Sequence, residues 1–169
     1  MLSLDPAGYS MRWYEEFFAS EEWMRSIKNS FMVAIASTIL ATSLWTLAAL
    51  GLSRPEMPYR ALIMSILISP MIVPLIISAA GMFFFYSSVN LAGTFLGLIL
   101  AHTALGIPFV VITVTATLSG FDHSLTRAAA GLGANPRTVF FKVMLPLVTQ
   151  GVISGALFAF ITSFDEVVV

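Results

Sequence analysis

Cysteine is absent from this chain of 169 residues, which excludes a disulfide framework, thiolate metal sites and thiol catalysis. Charge is nearly as scarce. Asp, Glu, Lys and Arg make up 10% of the residues, and none of them occurs in the 61 positions from Ala61 to Phe121. The N-terminus, MLSLDPAGYSMRWYEEFF, has no basic region leading into an apolar run, so no cleavable signal peptide is read there and insertion is expected to depend on internal segments. Neither the H-E-x-x-H spacing of a zinc site, the G-x-S-x-G turn of a serine hydrolase nor the G-x-x-x-x-G-K-[ST] phosphate loop occurs. ATP hydrolysis by this chain therefore has no motif to rest on. A net charge of -1 gives no reason to expect a nucleic-acid partner.

What remains is apolar. Hydrophobic residues form 58% of the chain and the mean hydropathy is +0.92, far above a soluble domain, and the charges are clustered instead of spread at helical spacing. Between Lys28 and Arg54 lie 25 uncharged residues, enough at about 1.5 Å per residue to cross a hydrocarbon core of about 30 Å. The 61-residue uncharged stretch is right for two crossings, divided at Ser87-Ser88-Val89-Asn90. Four spanning helices are expected, at 30–53, 62–86, 91–118 and 143–164, with Tyr86 an interfacial anchor and the last span ending at Asp165-Glu166. Arg54, Arg60, Arg127, Arg137 and Lys142 fall in two loops, which are expected to face the cytoplasm under the positive-inside rule. Residues 1–29 would then be external, an awkward arrangement that suggests an earlier spanning helix.

Pro70, Pro74 and Pro108 each remove a backbone donor within an apolar segment and are expected to kink it. Gly93 and Gly97 form a small-xxx-small pair suited to close helix approach.

The segment FDHSLTRAAAGLGANPRTVFFKVMLPL is more structured than a connector needs to be. Asp122 or Ser124 can cap a short helix through Ala130, Gly133 suits a left-handed stop, and Asn135 caps a second helix with Pro136 at its first position. Ala128, Ala129 and Ala130 give the first helix a smooth face for a groove on another protein. Pro146, just inside the next span, can redirect the chain.

This pattern resembles the EAA loop of ABC importer permeases, in which Glu-Ala-Ala is followed by a Gly and then by an aliphatic-x-Leu-Pro. The matches are Ala128, Ala129, Gly133, Val143, Leu145 and Pro146, with nine residues between Gly133 and Val143. Where the family has Glu, this chain has Arg127, which reverses the charge. The segments SMRWYEEFFASEEWMRSIKNSF and GALFAFITSFDEVVV are similar to the spermidine/putrescine branch. The resemblance implies an all-α polytopic membrane bundle of the MetI-like permease type, with helices two to five of a six-helix subunit present and a cytoplasmic coupling helix pair at 122–142. It implies ATPase coupling through Arg127, Ala128, Ala129, Gly133, Asn135, Pro136, Leu145 and Pro146. The implied partners are a cytoplasmic ABC ATPase dimer that uses the ATP, a second permease subunit, an external or periplasmic solute-binding protein and the lipid bilayer. The implied location is the bacterial inner membrane, and no cofactor is expected on this chain.

Asp165 and Glu166 close the last span, where carboxylates suit an ammonium-bearing solute, and with Ser163 they form the candidate solute path, to which Thr162 can add a hydrogen bond. His102 reads as a packed polar residue and His123 as part of a helix cap. Two other readings stand beside the permease. One is a membrane-embedded hydrolase using His102 or His123 with Asp165 or Glu166, groups expected at different depths and therefore apart. The other is a non-functional permease fragment.

Overall fold

The computed structural model of the chain describes residues 11–54, 56–122 and 124–168, and all the regular structure among them is helical. A short aromatic helix, α1 (Arg12–Ala19), precedes the longest one, α2 (Glu21–Leu52). Ser20 starts α2, its hydroxyl accepting the Trp23 N–H, and Glu21 and Glu22 lie in the first turn, where negative charge opposes the helix dipole. Hydropathy placed this span at 30–53, and the helix begins nine residues earlier because Glu21 to Lys28 are good helix formers. Hydropathy marks the apolar stretch, not the end of the helix.

The expected single span at 62–86 is two rods, α3 (Arg60–Ile72) and α4 (Leu75–Ser88), bent by 104°. The break is at Val73, extended at φ -73° and ψ 133°, as the residue before a proline tends to be. Pro74 then supplies no N–H to continue the ladder. Pro70, by contrast, sits inside α3 without ending it.

Asn90 (φ 57°) and Gly93 (φ 72°) turn the chain, so the next helix starts at Phe95, not at Leu91. Thr94 caps it by accepting the Gly97 N–H at 3.0 Å. Helices α5 (Phe95–Leu105) and α6 (Ile107–Ser119) together make one span of 25 residues. Pro108 falls in the first turn of α6, where a missing donor costs least, and Gly106 stays in the right-handed helical region. The proline expected to kink this segment therefore leaves its span undivided.

After α7 (Ser124–Gly131), α8 (Pro136–Val139) runs through one π-helical turn, Phe140–Met144, into α9 (Leu145–Asp165). The span expected at 143–164 is thus the later part of a helix of 30 residues from Pro136 to Asp165. In the wide turn the Leu145 N–H reaches back to the Phe140 carbonyl. That extra width accommodates the Pro146 ring, which would otherwise crowd the preceding turn, and the chain is not redirected there.

The core lies between α2, α6 and α9, where Ala41, Ala49, Val110, Val114, Leu118, Val148 and Ala159 are buried together. Buried positions on α9 recur every four residues at Gly151, Gly155, Ala159 and Ser163. A Cβ on Gly151 would strike Thr117 Oγ1 and come within 2.9 Å of the Thr113 carbonyl, and one on Gly155 would lie 2.9 Å from Val110 Cα. This is the close helix approach that small residues permit. The Gly93 and Gly97 pair does not provide it. Gly93 has open space around it, and a Cβ on Gly97 would meet Leu91 of its own preceding turn. Outward-facing Ile39, Ile72, Ile76 and Phe84 are 61–76% exposed, an exterior suited to lipid or to neighbouring apolar helices and not to water.

Candidate functional site

Two ends of the bundle carry the residues of interest. At the end bearing Arg54, Arg127, Arg137 and Lys142, local sequence builds a helix-turn-helix unit. Asp122 Oδ1 accepts the Ser124 N–H at 2.8 Å ahead of α7. The Leu132 N–H bonds the Ala128 carbonyl at 3.0 Å and the Ala134 N–H bonds the Ala129 carbonyl at 3.1 Å. Gly133 adopts φ 84°, a left-handed stop favourable only to glycine among ordinary residues. Asn135 Oδ1 then accepts the Thr138 N–H at 2.8 Å, and Pro136 opens α8. Arg127 and Ala128 are exposed and Ala129 is half-buried.

The second helix of this unit is the head of the 30-residue helix, not a separate piece. Leu145 and Pro146 therefore lie in the first turn of α9, beyond the π-helical turn and apart from the exposed Ala128 face. Between the unit and the ends of α2 and α6 is a cavity of about 670 Å³, whose lining includes Leu50, Arg54, Leu118, Ala130 and Phe140. Sequence reading missed Leu132, which is 90% exposed at the tip of the turn. Its signal was an apolar side chain flanked by two glycines.

At the opposite end, α2, α5 and α9 border an open cavity of about 300 Å³, with Asn29, Ser30, His102, Ser163 and Glu166 in its wall. Ser163 Oγ lies 2.9 Å from Ser37 Oγ and 2.8 Å from His102 Nδ1. Ser37, His102 and Ser163 are all buried. Glu166, half-buried, follows the last helical residue in extended conformation, and its Oε1 accepts the Val168 N–H at 2.6 Å. The three residues expected to act together do not converge. Ser163 and Glu166 line one cavity while Asp165 is exposed elsewhere, since two residues turn a helix by about 200°.

The expected separation of His102 from Glu166 is overturned, because both line this cavity. They do not make a hydrolytic relay. Ser163, the hydroxyl nearest the imidazole, is buried and shared between two partners, and the Glu166 carboxylate bonds a backbone N–H. His123 lies outside the described residues. Among those described, no three His, Asp or Glu side chains come together as a metal site.

Residues 45–169 match the family described as binding-protein-dependent transport system inner membrane component. The chain is 33% identical over 162 residues to the spermidine/putrescine transport system permease protein PotC of Haemophilus influenzae, covering 96% of this chain and 63% of that protein. It is 30% identical to PotC of Escherichia coli K12, covering 96% and 61%, respectively. It is also 32% identical to the sulfoquinovosyl glycerol transport system permease protein SmoH of Agrobacterium fabrum, over 90% of this chain and 54% of that one. The chain thus spans less than two thirds of the length of these relatives.

Proposed function

Given that the chain belongs to the binding-protein-dependent transport system inner membrane component family, we propose that it forms part of the solute path of an ATP-driven importer and draws its energy from a separate ATPase. The observation that carries this reading is the continuity of the helix from Pro136 to Asp165. A force applied to the α7–α8 unit reaches the far end through one continuous helix, in which Pro146 lacks a donor without ending the rod, and this is how a docked ATPase can switch a membrane path by rigid-body movement.

The docking face is α7 and its turn, with Arg127, Ala128, Ala129, Leu132 and Gly133 foremost. Asn135 and Pro136 fix the start of the rod, and Leu145 and Pro146 join it to the span. Arg127 meets an acidic or neutral surface of the ATPase dimer, which hydrolyses the ATP while this chain holds no cofactor. The basic end is cytoplasmic and the Glu166 end external. A second permease subunit completes the path, and an external binding protein delivers the solute.

The solute class is a small organic cation of the polyamine kind. The Glu166 carboxylate in a cavity with four further polar side chains supports it, as does the likeness to spermidine/putrescine permeases.

The test of coupling is copurification of the ATPase with the tagged chain from native membranes. Ala128→Asp, Gly133→Trp and Leu132→Asp are each expected to reduce recovery at least tenfold. Recovery equal to wild type in all three would remove the coupling role.

A further inference from the structure

Three helices meet at one hydroxyl, that of Ser163. The order of donors follows from the Ser37 end. Ser37 Oγ–H donates to the Val33 carbonyl at 2.8 Å and is shared with that of Ala34 at 3.2 Å, so its proton is committed within α2. Ser163 Oγ–H then donates to Ser37 Oγ, and its remaining capacity is as an acceptor. His102 Nδ1–H is the donor that fills it. Nδ1 carries this proton whether the ring is neutral or charged, so the chain of bonds holds in both states.

The position of this junction gives it a consequence. Gly151, Gly155 and Ala159 pack α9 against its neighbours with shape alone, and Ser163 is the last buried position of the helix. One turn later the chain leaves the helix and presents Glu166. Phe164 makes ring contacts with Phe31 and Phe160 at 5.0 and 5.8 Å, but such contacts leave a helix end free to rotate by several degrees. Two short hydrogen bonds to two different helices do not, because their geometry is directional.

We infer that His102 is a positioning residue which, through Ser163, fixes the direction in which α9 delivers the Glu166 carboxylate to the cavity. This rests on the proposed reading of Glu166 as part of the solute path. His102 acts on capture of the solute and not on the drive from the ATPase.

Two readouts test this on the transporter assembled with its ATPase and partner subunit in proteoliposomes. The first needs no solute. Spin labels on Val168→Cys and Ile39→Cys report the distance across this end by double electron–electron resonance. His102→Leu and Ser163→Ala are expected to widen the distance distribution at least twofold. His102→Asn, whose amide nitrogen takes the place of Nδ1, is expected to restore it. The second is uptake of radiolabelled spermidine and putrescine. His102→Leu and Ser163→Ala are expected to raise KM at least tenfold with kcat within twofold, and His102→Asn to bring KM back within threefold of wild type.

An unchanged distribution in Ser163→Ala, or a His102→Asn variant no better than His102→Leu, overturns the positioning role. Ser163→Ala removes one oxygen and leaves no large void, so it carries the test if His102→Leu does not assemble. Glu166→Gln separates the two ideas. If it raises KM while the His102 and Ser163 variants do not, only the positioning role falls. If Glu166→Gln leaves KM unchanged, the solute-path reading falls and the inference with it. If wild type takes up neither polyamine, the solute class is wrong and the spin-label distances alone decide the positioning role.

Discussion

A hydroxyl inside an apolar bundle either finds an acceptor or weakens the fold. Thr103, Thr113 and Thr117 reach carbonyls one turn back at 2.6, 2.8 and 2.9 Å. Thr46 on α2 and Thr115 on α6 are buried and their hydroxyls have no protein partner among the described residues. An unpaired buried hydroxyl costs about 1–3 kcal/mol, while valine has the same shape without the cost. Thr46→Val and Thr115→Val are each expected to raise the thermal midpoint of the detergent-solubilised protein by a few degrees, and a fall would show that the hydroxyls are bonded. The contrast between readable and unreadable residues has the same local character. Gly133 and Asn135 were legible because a left-handed stop and a helix cap involve only their near neighbours. The His102–Ser163 bond joins residues 61 apart, and no local pattern announces such a meeting.

At the scale of elements, proline meaning depended on register. Pro108 opens a helix and leaves its span whole, while Pro74 divides one, and the sequence marks both only as donors removed. Neither α3 nor α4 contributes a buried residue, so little besides the local backbone holds their bend. Pro74→Ala restores the donor and frees Val73 from its extended preference, and the pair is expected to straighten. Spin labels at Leu62 and Phe84, both well exposed, would then move apart by about 15 Å at 1.5 Å rise per residue. An unchanged distance would assign the bend to packing outside this pair. Hydropathy located every apolar stretch, but the 30-residue helix was read as two elements because Lys142 and Pro146 look like a boundary. One π-helical turn, which has no hydropathy signature, carries the helix across it. The close packing of α9 was missed for a related reason: Gly151 and Gly155 lie four apart just as Gly93 and Gly97 do, and spacing cannot tell a helix contact from a turn.

For the whole molecule, the membrane spans were legible from the lengths of the charge-free apolar runs, and the all-α permease bundle and the family from the spacing of a few residues around Gly133. Orientation is the property that two-sided chemistry can test directly. The chain has no cysteine, so a single thiol at Leu132 or at Ser88, both exposed, is a clean reporter. In intact spheroplasts a membrane-impermeant maleimide is expected to label Ser88→Cys and to spare Leu132→Cys until the membrane is opened. The reverse pattern would invert the topology. The helix from Pro136 to Asp165 also has a mechanical meaning. At about 45 Å it is a lever, and its fulcrum is the glycine contact at Gly151 and Gly155, where α9 lies tightest against α6. A tilt of about 10° there would swing the Pro136 arm by about 4 Å and carry Ser163 by about 3 Å the opposite way, so the bonds that Ser163 makes to Ser37 and His102 act as a stop that limits the stroke.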